Sequence, residues 1–363
     1  MRRIANPPNP YLREHREWLG APPPVELHVY EEQAGSILSQ NDSPDLRFRW
    51  SVNPYRGCQH ACAYCYARPT HEYLGFGAGT DFESRICVKV NAPELLQAAL
   101  TRPGWRGERI AFSGVTDCYQ PLEAVYRLTR RCLEVCLRRG NPIGVVTKSY
   151  LVVRDAHLLA ELNRRSSAHV YLSIPFADDG LARKIEFAAP PPSRRFDALR
   201  ALHQADVPVG VIVAPIIPGL NDRAIPTILG QAAACGARRA AYTALRLPGS
   251  VREVFLSRLR SELPDCARRV EQRIRDMRGG RLNETRFGAR MRGEGPYWAS
   301  IARLFEAAAR RLGLETHGQC NRPALGALED AQPARDRQRA TLQRAAPEAP
   351  RHSGVHQLPL LDV

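Results

Sequence analysis

Three cysteines, Cys58, Cys62 and Cys65, lie within eight positions of one another in the segment GCQHACAYC. Ten cysteines in 363 residues are too few for a disulfide scaffold, so a cluster of them indicates metal binding or catalysis. Structural zinc takes four protein ligands, and the nearest fourth ligands are His60 and His71. A [4Fe–4S] cluster held by three thiolates instead leaves one iron open. Because His60 lies between two of the cysteines, where tetrahedral coordination is cramped, the spacing favours the cluster.

The elements that must position these cysteines alternate between strand and helix. Apolar or β-branched runs predict six strands, at 48–52, 109–115, 143–148, 169–174, 209–215 and 239–245. Amphipathic stretches predict helices at 93–101, 122–139, 150–163, 194–204, 223–235, 253–260, 264–277 and 296–310. Near-continuous apolar strands separated by helices indicate a parallel sheet covered on its faces. The predicted fold class is therefore α/β, and six βα units predict an open or partial barrel.

Polar side chains follow several of the predicted strands, and in such folds the site lies at the carboxyl ends of the strands. Ser113, Thr116 and Asp117 follow the second strand, Lys148 ends the third, and Ser173 lies on the fourth. Lysine is rare in this chain, since only Lys89, Lys148 and Lys184 occur among 52 basic residues. A lysine at a strand end indicates a need for a compact ammonium group, and a solvated strand end is the alternative.

The segment Cys58-x3-Cys62-x-Tyr64-Cys65 resembles the signature of the radical S-adenosylmethionine (radical SAM) superfamily, in which an aromatic residue commonly precedes the third cysteine. The resemblance implies a partial (β/α)6 TIM-type barrel and a [4Fe–4S] cluster bound by the three cysteines. It also implies that the open iron binds S-adenosylmethionine (SAM) and that one-electron cleavage of SAM gives a 5′-deoxyadenosyl radical. A cellular one-electron reductant of the flavodoxin or ferredoxin type is the implied partner.

A second segment, SGVTDCYQPLE at 113–123, resembles the TD-x-YQP-x-E segment of the spore photoproduct lyase-like branch of that superfamily. There this strand end helps to hold the methionyl group of SAM, and VVTKS and LSI add a partner for the SAM carboxylate and a contact near the ribose. The residues that the two resemblances assign to SAM are Tyr64, Ser113, Thr116, Asp117, Lys148 and Ser173.

The sequence departs from a true spore photoproduct lyase at the hydrogen donor. That enzyme's branch uses a cysteine two positions before the SAM-contacting serine, and this position is Ala111 here. Cys118 and Cys87 are the candidate substitutes, and the alternative is that both are ordinary small residues. The likeness is closer to uncharacterised bacterial proteins of the branch, which share NPYRGC-x-H-x-C-x-YCYARP-x-HEYLG and DFESRI.

Composition and charge indicate where the protein is located, how the chain is organised and which partners it can have. With 44% hydrophobic residues, 25% charged residues and no apolar run of membrane-spanning length, the chain is predicted to be cytoplasmic, with no membrane partner. The predicted organisation is an extended N-terminal arm with little regular structure (1–45), a radical SAM partial barrel (46–315) and a low-order C-terminal tail (316–363). A net charge of +15 is consistent with a nucleic-acid partner and equally with a solvated basic surface.

The last residues carry a further short motif. Gln357-Leu358-Pro359-Leu360-Leu361 resembles the peptides by which bacterial DNA enzymes dock into the sliding clamp, and a tail that packs onto the barrel is the favoured alternative.

Two functions follow from the sequence. The first is a radical SAM enzyme of lyase-like or transferase type, with an unknown substrate and with DNA-lesion repair as a candidate. The second is a nucleic-acid-binding protein whose cysteines form a structural metal site.

Overall fold

All six predicted strands are present in the computed structural model, which describes residues 6–11, 26–46 and 48–316. The strands in these ranges are β1 (His28–Glu32), β2 (Leu38–Gln40), β3 (Trp50–Val52), β4 (Tyr55–Arg56), β5 (Arg85–Lys89), β6 (Ile110–Phe112), β7 (Ile143–Thr147), β8 (Ala168–Ser173), β9 (Val209–Ile216), β10 (Arg239–Ala244) and β11 (Glu315–Thr316). The predicted strands correspond to β3 and to β6 through β10.

The α-helices of the same ranges are α1 (Thr80–Ser84), α2 (Ala92–Thr101), α3 (Glu123–Tyr126), α4 (Leu128–Arg139), α5 (Ala156–Arg165), α6 (Asp179–Ile185), α7 (Pro192–Gln204), α8 (Ile225–Ala234), α9 (Val251–Glu262), α10 (Pro264–Asp276) and α11 (Gly295–Arg311). Short 3₁₀ helices span Arg68–Leu74, Tyr150–Asp155 and Asp222–Ala224. The single helix predicted at 122–139 is divided, because Arg127 has a φ of 53° and separates α3 from α4.

The main sheet has the strand order β2-β3-β6-β7-β8-β9-β10-β11. Only the pairing of β2 with β3 is antiparallel, and helices connect most of the parallel strands, so the fold is mixed α/β. Burial alternates along the central strands. In β7, Ile143 and Val145 are buried, whereas Gly144 and Val146 on the opposite face remain accessible. One face of the sheet therefore forms the core, and the other is open enough to meet a ligand.

A second sheet of three strands has the order β1-β5-β4. Strand β1 lies within the predicted N-terminal arm and pairs in parallel with β5, from His28 opposite Arg85 to Glu32 opposite Lys89. Strand β2 of the same region joins the main sheet. The arm therefore has more regular structure than predicted, because its strands depend on partners distant in sequence rather than on local composition.

The described residues cover the predicted chain ends only in part. The predicted tail from 317 onward, including the clamp-like Gln357–Leu361, lies outside the described residues. Among the residues that are described, no helix combines the length and apolar character needed to cross a membrane.

Candidate active site

The three cysteines lie in a tight loop between β4 and the 3₁₀ helix at 68–74. Gly57 opens this loop with a φ of 78°, and a Cβ atom there would lie 2.9 Å from a side-chain carbon of His71 and of Ile86. Ala61, between Cys58 and Cys62, also has a positive φ of 54°. The loop thus requires glycine at its entry and an unusual backbone conformation between its first two cysteines.

Backbone amides act on two of the cysteine thiols. Those of Asp117 and His60 lower the pKa of Cys58, and that of Ala67 lowers the pKa of Cys65, so they favour the thiolate forms. Burial nevertheless raises the pKa of all three thiols, that of Cys58 to about 12. For Cys62 the charge of Lys148 opposes this shift, and the charge of Glu186 adds to it. As free thiols they stay protonated, so a cationic centre is needed to stabilise them as thiolates.

These thiols fit an iron–sulfur cluster. Hydrogen bonds to ligand sulfurs are among the features by which proteins stabilise and tune such clusters. In the described part of the chain, no group of three or more histidine, cysteine, aspartate or glutamate side chains could hold a metal ion. That finding concerns a single metal ion. The three cysteines that hold a [4Fe–4S] cluster bind different irons, so their sulfurs need not converge on one point.

Arg68 stabilises the cysteine loop from within the protein, although nothing in the sequence marked it as more than part of the CYARP segment. Its guanidinium is fully buried and donates from Nε and Nη2 to the carbonyl of Cys62, at 3.0 and 2.9 Å. Nη1 donates to the carbonyls of Ala78 and Gly79, and Nη2 pairs with Glu83. The planar guanidinium can serve several acceptors at once, which a lysine ammonium cannot do with this geometry.

The YQP part of the 113–123 segment also holds the cysteine loop. Gln120 is buried, donates to the carbonyl of Gly57 at 3.1 Å and accepts from the N–H of Gln59 at 3.1 Å. The side chain of Gln59 in turn accepts from the N–H of Leu122 at 3.1 Å. These reciprocal amide bonds join the cysteine loop to the loop that follows β6.

Asp117 is saturated by hydrogen bonds from the protein. Oδ1 accepts from the N–H of Tyr119 at 2.9 Å and from the hydroxyl of Thr147 at 2.7 Å. Oδ2 accepts from the N–H of Lys148 at 2.8 Å and lies 3.3 Å from Nδ1 of His60. Burial favours the neutral acid, but His60 and the hydrogen bonds outweigh it and lower the pKa of Asp117 to about 2. All of its usual acceptor positions are therefore occupied.

The hydroxyls of Ser113 and Thr116 are likewise engaged. Ser113 has a φ of 102°, and its Oγ donates to the carbonyl of Val146 at 2.5 Å. Thr116 Oγ1 donates to the carbonyl of Tyr55 at 3.1 Å and accepts from Asn53 Nδ2 at 2.8 Å. Both residues organise the loop after β6.

Three of the residues predicted to contact SAM, Lys148, Ser173 and Tyr64, lie close to one another. Nζ of Lys148 donates to Oγ of Ser173 at 3.0 Å and lies 5.7 Å from the centre of the Tyr64 ring. The Lys148 side chain is 16% exposed. A partly accessible ammonium thus lies beside the aromatic residue of the cysteine loop.

Two charged residues at this site were missed by the sequence reasoning, Glu186 after α6 and Arg195 on α7. Both side chains are fully buried, and Arg195 Nη2 pairs with Glu186 Oε2 at 2.5 Å. Glu186 also accepts from the Tyr64 hydroxyl and lies 3.9 Å from Lys148 Nζ. Burial opposes its ionisation, but Arg195 and Lys148 lower its pKa, so it is an anion. We call Glu186, Arg195 and Lys148 the cationic cluster.

Cys118, the predicted candidate hydrogen donor, is buried. Its side chain is 0% exposed within the main core, and burial raises its pKa well above the usual value. Cys87, on β5 of the small sheet, is also buried. The role of either cysteine as a hydrogen donor stays a prediction, beside the alternative that both are ordinary small residues.

Comparison with known proteins identifies a family. The family model described as the radical SAM superfamily matches residues 52–232. A protein of Mycobacterium tuberculosis is 39% identical over 232 residues, which are 63% of this chain and 68% of the relative. A protein of Methanocaldococcus jannaschii is 33% identical over 206 residues, 57% of this chain and 73% of the relative. Both relatives are described as uncharacterised.

More distant matches carry functional names. A radical SAM Nalpha-GlyT isomerase of Pseudomonas phage M6 is 26% identical over 172 residues, 47% of this chain and 33% of the isomerase. Among solved structures, spore photoproduct lyase complexed with dinucleoside spore photoproduct aligns with a TM-score of 0.54 at 17% identity. The alignment covers 83% of this chain and 87% of the lyase chain, and at this identity it establishes a shared fold.

Proposed function

Because the chain belongs to the radical SAM superfamily, whose members use a [4Fe–4S] cluster and SAM, we propose that it is a radical SAM enzyme. Cys58, Cys62 and Cys65 hold the cluster, and the backbone amides of His60 and Asp117 beside Cys58 and of Ala67 beside Cys65 favour the thiolates that this requires. When bound, the cluster and SAM supply a 5′-deoxyadenosyl radical. The residues of the protein bind, orient and shelter these groups.

The observation that carries this proposal is the unbalanced charge beside the cysteine loop. Glu186 neutralises Arg195, which leaves the ammonium of Lys148 as a partly exposed cation beside Tyr64. A carboxylate such as that of SAM would balance this cation. Ser173, hydrogen-bonded to Lys148, lies beside the same position.

The other three predicted SAM residues receive a positioning role in this proposal. Their side chains are hydrogen-bonded to other groups of the protein. The proposed role of Asp117, Ser113 and Thr116 is therefore to fix the backbone around the SAM position. Asp117 is central among them, since it joins His60 of the cysteine loop to the N–H of Lys148.

We further propose that the main sheet curves into a partial barrel. Asp45, after β2, pairs with Arg290 Nε at 2.5 Å, and the adjacent Met291 accepts from the N–H of Ala244 on β10. In a flat sheet the six strand spacings from β2 to β10 would span roughly 29 Å. The segment between α10 and α11 thus contacts both β10 and the loop after β2, which supports a curved sheet.

Reconstitution of the cluster tests the enzymatic proposal. The full chain is reconstituted with iron and sulfide without oxygen, reduced with SAM present, and assayed for 5′-deoxyadenosine. We expect Cys62→Ala to abolish both the cluster absorbance and the product, whereas Cys266→Ala, a partly exposed cysteine of α10, leaves both intact. A colourless zinc protein that gives no 5′-deoxyadenosine would instead support the structural metal site. In the cell, a flavodoxin- or ferredoxin-type protein in the cytoplasm is the proposed electron donor.

For the substrate we propose nucleic acid, with DNA-lesion repair of the spore photoproduct lyase type as the specific candidate. The net charge of +15 and an aromatic side chain beside the cysteines support this class. Tyr66 is 49% exposed, yet its hydroxyl donates to the carbonyl of Gly114 at 2.6 Å, so the ring is held rigidly. The guanidinium of Arg246 lies 5.8 Å from its centre. The aromatic ring could stack on a base of a nucleic acid, and the neighbouring cation could pair with a phosphate.

Oligonucleotide binding tests the substrate class. Stacking on an aromatic side chain contributes about 1–3 kcal/mol per base, so Tyr66→Ala should weaken binding by roughly 5- to 100-fold in fluorescence anisotropy. Tyr73→Ala removes an even more exposed ring, at 70%, and should leave affinity unchanged. Equal losses in the two variants, or the absence of any oligonucleotide binding, would contradict nucleic acid as the substrate.

A further inference from the structure

A group of hydrogen-bond donors lies at the amino ends of the parallel strands, on the face of the sheet that the helices do not cover. Arg109 immediately precedes β6, His169 and Tyr171 lie on β8, and Arg239 begins β10. Strand register brings them together, since Gly144 of β7 pairs with His169, and Tyr171 and Arg239 both pair with Gly210. This end is distinct from the cysteine site, because His169 lies four positions before Ser173 along β8, a distance of about 13 Å.

Arg109 is half-buried, and in the described part of the chain it forms no ion pair with a carboxylate. Nη1 lies 3.1 Å from the carbonyl of Ile143 and 3.2 Å from Nδ1 of His169, and Nη2 donates to the Ser167 hydroxyl at 3.2 Å. Burial, and then the charge of Arg239, lower the pKa of Arg109. A guanidinium that is held beside a second one would be stabilised by an anion.

The second arginine is more exposed and points at the same group. Arg239 Nε donates to Glu315 at 3.0 Å. Burial raises the pKa of the Tyr171 phenol, and the nearby Arg239 opposes this shift. The Tyr171 ring lies over Gly210, where a Cβ atom would come within 2.5 Å of it. Glycine at position 210 of β9 therefore leaves room for the Tyr171 ring of the neighbouring strand β8.

Space for a ligand lies above Gly144. A Cβ atom at Gly144 would meet no other atom within 4 Å, although the residue is in the middle of the sheet. Its strand neighbours on this face are Ala111 and His169, and neither Gly144 nor Ala111 fills the face with a large side chain. The space is thus bordered by cationic and neutral donors.

We propose that Arg109 and Arg239, with His169 and Tyr171, bind a tetrahedral oxyanion of the phosphate class in the space above Gly144. Arginine suits this ligand, because its planar fork of N–H groups matches two oxygens of a phosphate. The ligand is either inorganic phosphate or the phosphate of a nucleotide, and the two share this chemistry.

Thermal unfolding of the full chain in phosphate tests the proposal, with chloride at equal ionic strength as the reference. At about one hundred times the Kd, phosphate should raise the Tm of the wild-type protein by about 4 °C. Arg109→Gln should lose this rise, whereas Arg164→Gln, on α5 with a 72% exposed side chain, should keep it. A nucleoside monophosphate as a second titrant separates the two sources of phosphate by the concentration that each requires.

A second variant guards against a simple folding defect in Arg109→Gln. Gly144→Val places a side chain in open space and in an ordinary strand conformation, so it should fold and yet block the ligand. Loss of the phosphate-dependent rise in both Arg109→Gln and Gly144→Val supports the site. No rise in the wild-type protein beyond that in chloride, or an equal rise in Gly144→Val, would overturn it.

Discussion

Two clusters of buried charge differ in whether their charges balance. In the first, which we call the neutral cluster, the fully buried Glu123 and Asp155 pair with Arg130 and Arg154, two charges of each sign. Glu134, 38% exposed, also pairs with Arg130, but it lies at the surface, where solvent screens its charge, and is not counted in the cluster. In the cationic cluster, Glu186 faces both Arg195 and Lys148, one anion with two cations. The first is complete within the protein, whereas the second has room for one more anion. The difference separates a cluster that maintains the fold from one suited to bind a ligand.

The neutral cluster also explains the glutamate of the TD-x-YQP-x-E segment. Glu123 is fully buried, accepts from the Tyr55 hydroxyl at 2.5 Å and accepts from the N–H groups of Thr129 and Arg130. Tyr119 of the same segment donates to Asp155 at 3.0 Å. A segment that resembles a cofactor-binding motif thus contributes largely to the structure beneath the cofactor position.

The largest expected effect comes from breaking the buried pair of the cationic cluster. Arg195→Ala leaves the Glu186 carboxylate buried without its main partner, and such changes cost about 3–5 kcal/mol in the free energy of unfolding. Arg200→Ala, on the same helix but with a 54% exposed side chain, should cost less than about 1 kcal/mol. Urea denaturation measures both. A similar small loss in the two variants would mean that the Glu186–Arg195 pair is not a structural requirement.

Acid titration gives the next effect, through Asp117. Its pKa in the folded protein is about 2, below the ordinary 3.8, so it contributes stability above pH 3.8 that is lost as the pH falls toward 2. The shift corresponds to about 2 kcal/mol. Asp117→Asn should therefore flatten the dependence of stability on pH between 4 and 2, whereas Asp197→Asn, with a 41% exposed side chain, should not. An unchanged acid profile in Asp117→Asn would contradict this assignment.

The smallest effect on stability, and the sharpest test of the comparison, is expected from Lys148→Met. Because Lys148 is the surplus cation, its removal should change the free energy of unfolding by less than about 1 kcal/mol. Loss of a charged hydrogen bond to SAM should weaken SAM binding by about 10- to 100-fold, measured calorimetrically with the reconstituted protein. Lys184→Met, an exposed lysine of α6, is the matched control.

The opposite pattern is expected from the neutral cluster. Glu123→Gln should lower stability while leaving the affinity for SAM unchanged. If it weakened SAM binding as strongly as Lys148→Met, the division between the two clusters would be wrong.

The sequence predicted the central strands well, because buried parallel strands appear as apolar runs such as IGVVT and VGVIVAP. It also placed Lys148 and Ser173 at neighbouring strand ends, and the structure brings them within 3.0 Å. Strand order made this possible, since the carboxyl ends of consecutive parallel strands meet at one edge of the sheet.

Long-range pairing accounts for what the sequence did not predict. Glu186 contacts Tyr64, 122 positions earlier in the chain, and no local pattern reports that a charged residue is buried by such a partner. Strands β1 and β5 depend on each other across more than fifty residues. The break at Arg127 is local, but arginine at a positive φ is too uncommon for the pattern to indicate it.

The buried guanidinium of Arg68 has a consequence for how the protein acquires its metal. In a zinc finger, the metal is what folds the loop, so the empty protein is unfolded. Here the carbonyl of Cys62 is held by Arg68, and Gly57 is held by Gln120, through bonds that the chain makes by itself. We therefore expect folding and cluster loading to be separate events, so that a cluster destroyed by oxygen could be rebuilt on a chain that has kept its shape.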